Sequence, residues 1–400
     1  MSTPKRILIV DDSAVMRELL RAVLDDGTEL KVVGVASDPI FARQRIAELR
    51  PDVLTLDIEM PRMDGLSFLE ELMRSTPLPV VMVSSLTERG AQATLRALEL
   101  GAFDFVTKPT ADVRNQFDQM AGAIRAKVRA AAAAGPPRRP APLIARPKPV
   151  GGTAPLVGRA GIPTAGAQPP AAAQAPVPSA PASGAPNAAA GNSAAGSSAA
   201  NGAAARRRTA GGEPIIAIAS STGGTEALRA VIPLLPADAP GGVIVQHMPE
   251  KFTAMFAARL NELSQMSVRE ARDGDRIERG TMLIAPGGTQ CILERGPMGF
   301  VIRVQQARAS ELHNPSANVL FDSVASCVGA QAIGAVLTGM GEDGARGLAA
   351  MRRAGARTLA QDQKTSVVYG MPREAMRQGG AEVAVPLDRV AEALLHLAGR

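Results

Sequence analysis

The chain has 400 residues, with 44 Lys and Arg against 38 Asp and Glu, two cysteines and no tryptophan. That length suits two globular domains of ordinary size, and two cysteines are too few for a disulfide framework. No signal peptide or membrane-length apolar span appears, since Met1-Ser-Thr-Pro-Lys-Arg runs straight into a strand. A reduced, cytoplasmic protein that is not embedded in a membrane is expected.

The first third alternates apolar strands with helix-period segments. Lys5–Asp12 is an apolar run ending in paired carboxylates. Val53–Asp57, Val80–Ser85 and the stretch from Ala102 to Lys108-Pro109 are three more strand candidates. Val15–Leu24 and Thr94–Leu100 carry the 3.6-residue period, which argues for a parallel, doubly wound sheet. If the strand ends gather on one edge, Asp11, Asp12 and Asp57 converge. Three such carboxylates cannot all stay ionised without a cation, and all-oxygen ligation suits Mg²⁺. Asp57 could then accept a phosphoryl group, with Lys108 and the Ser84 hydroxyl on its oxygens. A solvated acidic loop is the plainer reading, weakened because each of these residues follows a strand.

Residues 128–212 contain no Asp or Glu, nine Lys or Arg, and fourteen of the 31 prolines, set among Ala, Gly and Ser. Such a stretch buries too little apolar surface to offset its ordering entropy, so a disordered tether is expected. As a flexible coil it would span roughly 50 Å. It also accounts for the basic balance, because without it 35 basic residues face 38 acidic ones. Its cations are scattered among prolines with no aromatic to stack on bases, so no specific nucleic-acid partner is expected. The domain boundaries read as 1–127, 128–212 and 213–400.

The last part opens on a buried strand, Pro214–Ala219, that stops at Ser220-Ser221 and passes Gly223-Gly224 into a helix-like segment. A strand turning abruptly into a helix start lifts a hydroxyl among free N–H groups, which suits a nucleophile, a phosphate site or a plain tight turn. A serine nucleophile needs a base, and only three histidines exist. His247 ends a second buried-strand candidate, Gly242–His247. His313 lies in a polar stretch as a ligand or structural group, and His396 on a terminal helix. Ile333–Gly344 supplies a third strand ending in a glycine-rich turn with Asp343. Glu342 competes with it, and a helix-capping carboxylate is its alternative. Sites in open α/β sheets form beyond the carboxyl ends of strands, where Ser221, His247 and Asp343 all fall.

Ser-Thr-Gly-Gly-Thr-Glu (221–226), Gln-His-Met-Pro (246–249), Leu-Thr-Gly-Met-Gly-Glu-Asp-Gly (337–344) and Gly-Met-Pro-Arg-Glu-Ala (370–375) together resemble the chemotaxis protein-glutamate methylesterase (CheB) family. The resemblance runs over 213–400. It implies Ser221 as nucleophile, His247 as base, Asp343 as its orienter, Thr222 as a neighbour, the Met340 N–H as oxyanion donor, and no cofactor for the esterase. The family's usual Gly-Ala before Ser-Thr reads Ala219-Ser220 here. A second hydroxyl therefore stands one residue early, and Ser221 is chosen by alignment to Thr222-Gly223-Gly224. Residues 1 to about 127 resemble the receiver domain of response regulators. That likeness makes Asp57 the phosphorylation site, with Asp12, Asp57 and the Glu59 carbonyl on Mg²⁺ and Asp11 acting through water. Ser84 becomes the switch hydroxyl, Phe105 the switch aromatic, and Lys108 the residue before a proline expected to be cis.

Two doubly wound parallel-sheet domains follow, a flavodoxin-like receiver and a Rossmann-like hydrolytic domain on a long tether. The resemblance implies a phosphorylation-activated esterase acting on methyl-accepting chemotaxis receptors, fed by a histidine kinase, acting as a monomer and deamidating certain glutamines. An output domain that only binds, or one that cradles a nucleotide, is the competing reading. The loop lacks the lysine of a phosphate-binding loop.

Overall fold

The structure, a computed structural model, describes residues 3–85, 87–108, 113–136, 213–307 and 312–399. The tether expected to be disordered lies outside them from residue 137 to 212, as does Pro109 with its expected cis bond.

The N-terminal half runs β1 (Lys5–Val10), α1 (Ala14–Leu24), β2 (Leu30–Ala36), α2 (Pro39–Leu49), β3 (Val53–Asp57), α3 (Gly65–Ser75), β4 (Val80–Ser84), α4 (Glu88–Glu99), β5 (Asp104–Thr107) and α5 (Val113–Ala134). All five strands are parallel, in the order β2-β1-β3-β4-β5. Every residue of β3 and β4 is buried, as expected of central strands covered on both faces. Side chains close the helix starts: Ser13, Asp38, Asp64 and Thr87 each accept an N–H of the first turn. α5 passes residue 127 and buries Val128, Ala131 and Ala132 against β1 and α1. The boundary expected at 127 therefore falls inside a packed helix, and this half reaches at least to Ala134.

The C-terminal half runs β6 (Ile215–Ser220), α6 (Gly224–Val231), β7 (Gly242–Gln246), α7 (Phe252–Leu263), β8 (Ser267–Glu270), β9 (Thr281–Ile284), β10 (Thr289–Gly296), β11 (Gly299–Gln306), α8 (Ala317–Cys327), β12 (Ala332–Val336), α9 (Ala345–Arg353), β13 (Arg357–Gln361), α10 (Met371–Arg377), β14 (Val383–Val385) and α11 (Val390–Leu397). Seven strands form a parallel sheet in the order β14-β13-β12-β6-β7-β9-β8. The chain winds outward from β6 in one direction, then returns to lay β12 on its other side. That reversal opens a crevice at the carboxyl ends of β6 and β12. β10 and β11 form a separate antiparallel hairpin.

Here the helix starts differ from those of the receiver half. α6 and α9 begin at Gly223 and Gly344, with φ of 76° and 90° and no side-chain cap. A side chain at Gly223 would meet Val367 at 2.6 Å, in a left-handed backbone that already favours glycine. At α9 the Ala345 and Gly347 N–H groups are taken by Glu342 O and Asn318 Oδ1, whereas in the first turn of α6, beside Ser221, only the Gly224 N–H is taken among the described residues, by Ser221 O. The two halves pack as one unit, and one cluster of buried side chains, including Leu98, Phe105, Met248 and Phe252, runs through both.

Candidate active site

The neighbouring serines separate cleanly. Ser220 closes β6, is fully buried, and donates its hydroxyl to Gln246 Oε1 at 2.7 Å. Ser221 is the first residue past the strand and faces the other way, as successive residues of extended chain do. Its N–H donates to Thr338 O at 3.0 Å, and its side chain lines a small cavity with Thr222 and His247. Among the described residues its hydroxyl makes no hydrogen bond, so the Ser221–His247 bond is not formed in this state, a looseness common before substrate binds.

His247 sits just beyond β7 with its Nε2 2.8 Å from Asp343 Oδ2. Asp343 also accepts from Ala317 N at 2.7 Å, Ser316 Oγ at 2.9 Å and Asn318 N at 3.0 Å. It thus caps the start of α8, while the adjacent Glu342 is exposed. Burial alone would raise its pKa, but the bond to His247, the His247 charge and the N–H groups of Asn318 and Ala317 outweigh it. The carboxyl is held well below the usual range. An ionised acceptor at Nε2 keeps the proton on that nitrogen and leaves Nδ1 as the basic one. The His313 ring lies flat against His247, with centroids 4.5 Å apart and planes within 2°. Gly339 brings the turn after β12 so close that a side chain there would reach Ser221 Cβ at 2.9 Å. The next N–H, that of Met340, meets no backbone acceptor among the described residues. His396 lies on α11 and does not line the cavity beside Ser221.

In the receiver half, Asp11, Asp12 and Asp57 bring ligand oxygens within 4.8 Å of one another. Lys108 Nζ is 2.7 Å from Asp57 and 3.5 Å from Asp11. Burial first, then the Asp57 charge, pushes the Asp11 pKa up to about 6, and burial raises that of Asp57. One lysine does not balance three carboxylates. The donor set therefore fits a hard divalent cation. The Glu59 N–H donates to Asp57 Oδ1 at 3.3 Å. Ser84 is buried and turned toward α4, with Gly90 O at 3.2 Å and Thr94 Oγ1 at 2.7 Å.

A CheB methylesterase profile matches residues 216–394, and a response regulator receiver domain profile matches residues 7–116. A protein-glutamate methylesterase/protein-glutamine glutaminase 2 of Pseudomonas aeruginosa is 45% identical over 99% of this chain and 98% of its own length. One of Xanthomonas oryzae pv. oryzae is 47% identical over 100% and 99%. The chain belongs to the CheB methylesterase family. Among solved structures, the Thermotoga maritima CheB methylesterase catalytic domain is 34% identical, covering 46% of this chain and 99% of that one, with a TM-score of 0.45. Among the described residues, no helix is long and apolar enough to cross a membrane.

Across the crevice lie receiver residues, of which sequence reasoning reached Phe105 and missed Asp104 and Glu99. Asp104 Oδ2 accepts from the Thr222 hydroxyl, beside Ser221, although 118 positions separate them. The same carboxylate pairs with Lys127 at 2.9 Å. Phe105 stacks on Phe252 with ring centroids 4.7 Å apart, and Glu99 accepts from Arg259 at 2.8 Å. The space left among Asp104, Phe105, Ser221 and His247 is ≈ 10 Å³. That is about the room one water needs, far less than a glutamyl ester.

Proposed function

We propose that the chain hydrolyses γ-glutamyl methyl esters on chemotaxis receptors, releasing methanol, and that phosphorylation of Asp57 switches this on. The observation that carries the reading is the convergence of Ser221, the His247–Asp343 pair and a covering receiver at one crevice. Ser221 Oγ attacks the ester carbonyl as His247 Nδ1 takes its proton, and Asp343 stabilises the resulting imidazolium. The oxyanion is met by the Met340 N–H and the uncapped start of α6. Collapse breaks the carbon–oxygen bond to methoxide, which leaves as methanol with the proton from His247. Water, activated by the same histidine, then frees the glutamate. A glutamine side chain follows the same course, with ammonia as the leaving group. Thr222 lies beside the nucleophile and is held by Asp104 until the receiver moves.

Asp57 is the phosphoryl acceptor, supplied by a chemotaxis histidine kinase. Asp12, Asp57 and the Glu59 carbonyl would hold Mg²⁺, with Asp11 acting through water, and the ion would supply positive charge to neutralise the phosphoryl group. Lys108 binds the phosphoryl oxygens, and Ser84 leaves α4 to join it. Phe105, next to Asp104 on β5, carries that change into the interface, and loosening it uncovers Ser221. The protein works in the cytoplasm as a monomer. A serine-directed covalent probe tests the site: it is expected to label Ser221 alone, and faster after phosphorylation. Methanol release from a methylated receptor fragment is expected to fall by about four to six orders of magnitude in Ser221→Ala, because triad members act as a unit. A chain that neither labels nor releases methanol would favour a binding output instead.

A further inference from the structure

We propose that His313 is a positioning residue for the proposed base: its ring is the flat wall that fixes the plane of the His247 imidazole, the plane in which Nδ1 must meet Ser221 once substrate binds. The proposal rests on the esterase reading above.

Asp343 grips His247 at one point, Nε2. A single hydrogen bond fixes the position of one ring atom and leaves the ring free to rock about its Cβ–Cγ bond. That rocking would swing Nδ1 past the serine. A face-to-face contact removes this freedom, and His313 supplies one at 4.5 Å and 2°.

The wall is itself held from two sides. Gln290, buried on β10, donates to His313 O at 2.8 Å and to Asn314 Oδ1 at 2.9 Å, and accepts from Ser316 N at 2.9 Å. Just downstream, Ser316, Ala317 and Asn318 are bound by Asp343. The carboxylate that grips the base therefore also anchors the loop bearing the wall, and the two rings are registered to one another through it. His313 also stays neutral near pH 7. The residue as a whole is exposed, but desolvation of the face pressed on His247, then the His247 charge, lowers its pKa from that of ordinary histidine against the weaker opposing pull of Asp343. A neutral ring stacks on a forming imidazolium without repelling it.

The test uses the full chain activated with Mg²⁺ and acetyl phosphate, with kcat and KM read from methanol release by a methylated receptor fragment. His313→Ala is expected to lower kcat about five- to tenfold, the worth of one ring–ring contact, with KM unchanged. His313→Phe, which keeps a flat face and discards both nitrogens, is expected to restore most of the loss. Equal Asp57 phosphorylation and melting temperature in both variants confirm that they fold. The proposal is overturned if the alanine variant keeps wild-type kcat. It is likewise overturned if KM moves in place of kcat, or if the phenylalanine variant is as slow as alanine, since an imidazole nitrogen would then be the active feature. A wild-type chain that releases no methanol would overturn the esterase reading as well as this one.

Discussion

Replacing Asp104 with alanine is expected to release the esterase without phosphorylation. The carboxylate lies outside the hydrolytic half, yet it binds Thr222 in a buried, charge-assisted hydrogen bond beside Ser221. Such a bond contributes about 1.5–3 kcal/mol, and its loss also strands the Thr222 hydroxyl. The other contacts that close the crevice are individually smaller. The Phe105–Phe252 stack adds about 0.5–1.5 kcal/mol beyond its buried area, and the part-exposed Glu99–Arg259 pair about 0.2–1 kcal/mol. Losing Asp104 therefore shifts the closed-to-open ratio by about ten- to a hundredfold. The assay is methanol release by unphosphorylated Asp104→Ala without Mg²⁺ or phosphodonor, compared with wild type before and after acetyl phosphate. The variant's basal rate is expected to approach the activated wild-type rate, and phosphorylation is expected to add little more. Phosphate can act only through a difference in stability between the two arrangements, and the variant has already lost most of it. A basal rate equal to that of unphosphorylated wild type would refute the occlusion argument and leave the receiver acting by targeting.

Ser220→Ala is expected to keep most activity while losing about 1 kcal/mol of stability with its bond to Gln246, measured by denaturant melts. Loss of activity in that variant with retention in Ser221→Ala would reverse the assignment of the nucleophile. Asp57→Asn is expected to hold the chain at its basal rate and to take up no label from phosphorylated kinase, with or without Mg²⁺. The acidic cluster sets a pH dependence of stability. Asp11 has a folded pKa of about 6 against 3.8, so the native state binds more protons than the unfolded state between those values. Stability from this group therefore falls as pH rises from about 4 to 6, by about 3 kcal/mol. Mg²⁺ is expected to raise the melting temperature more at pH 7 than at pH 5, and an equal rise at both would argue against Asp11 as part of the cation site. Asp343, whose pKa is lowered, works in the opposite sense, its contribution fading only as pH falls below the ordinary carboxylate range.

The sequence by itself determined the strand ends. Buried parallel strands read as short apolar runs, and the residue that stops each run stands at the sheet edge whatever the rest of the chain does. Asp11, Asp57, Lys108, Ser221 and His247 were legible for that reason, and Asp343 by the glycine-rich turn that carries it. Tertiary structure alone decided which of two adjacent serines faces the crevice, because the answer depends on Gln246 arriving from β7 to occupy the other. It decided that Asp343 caps α8 from another element and also bonds His247, so that the capping role and the contact with the histidine do not exclude one another. It also placed His313 against His247 and Asp104 against Thr222. None of these pairings has a period or a local motif to announce it. They join residues tens to more than a hundred positions apart, and only the packing of whole elements brings such residues within reach of a hydrogen bond or a ring face.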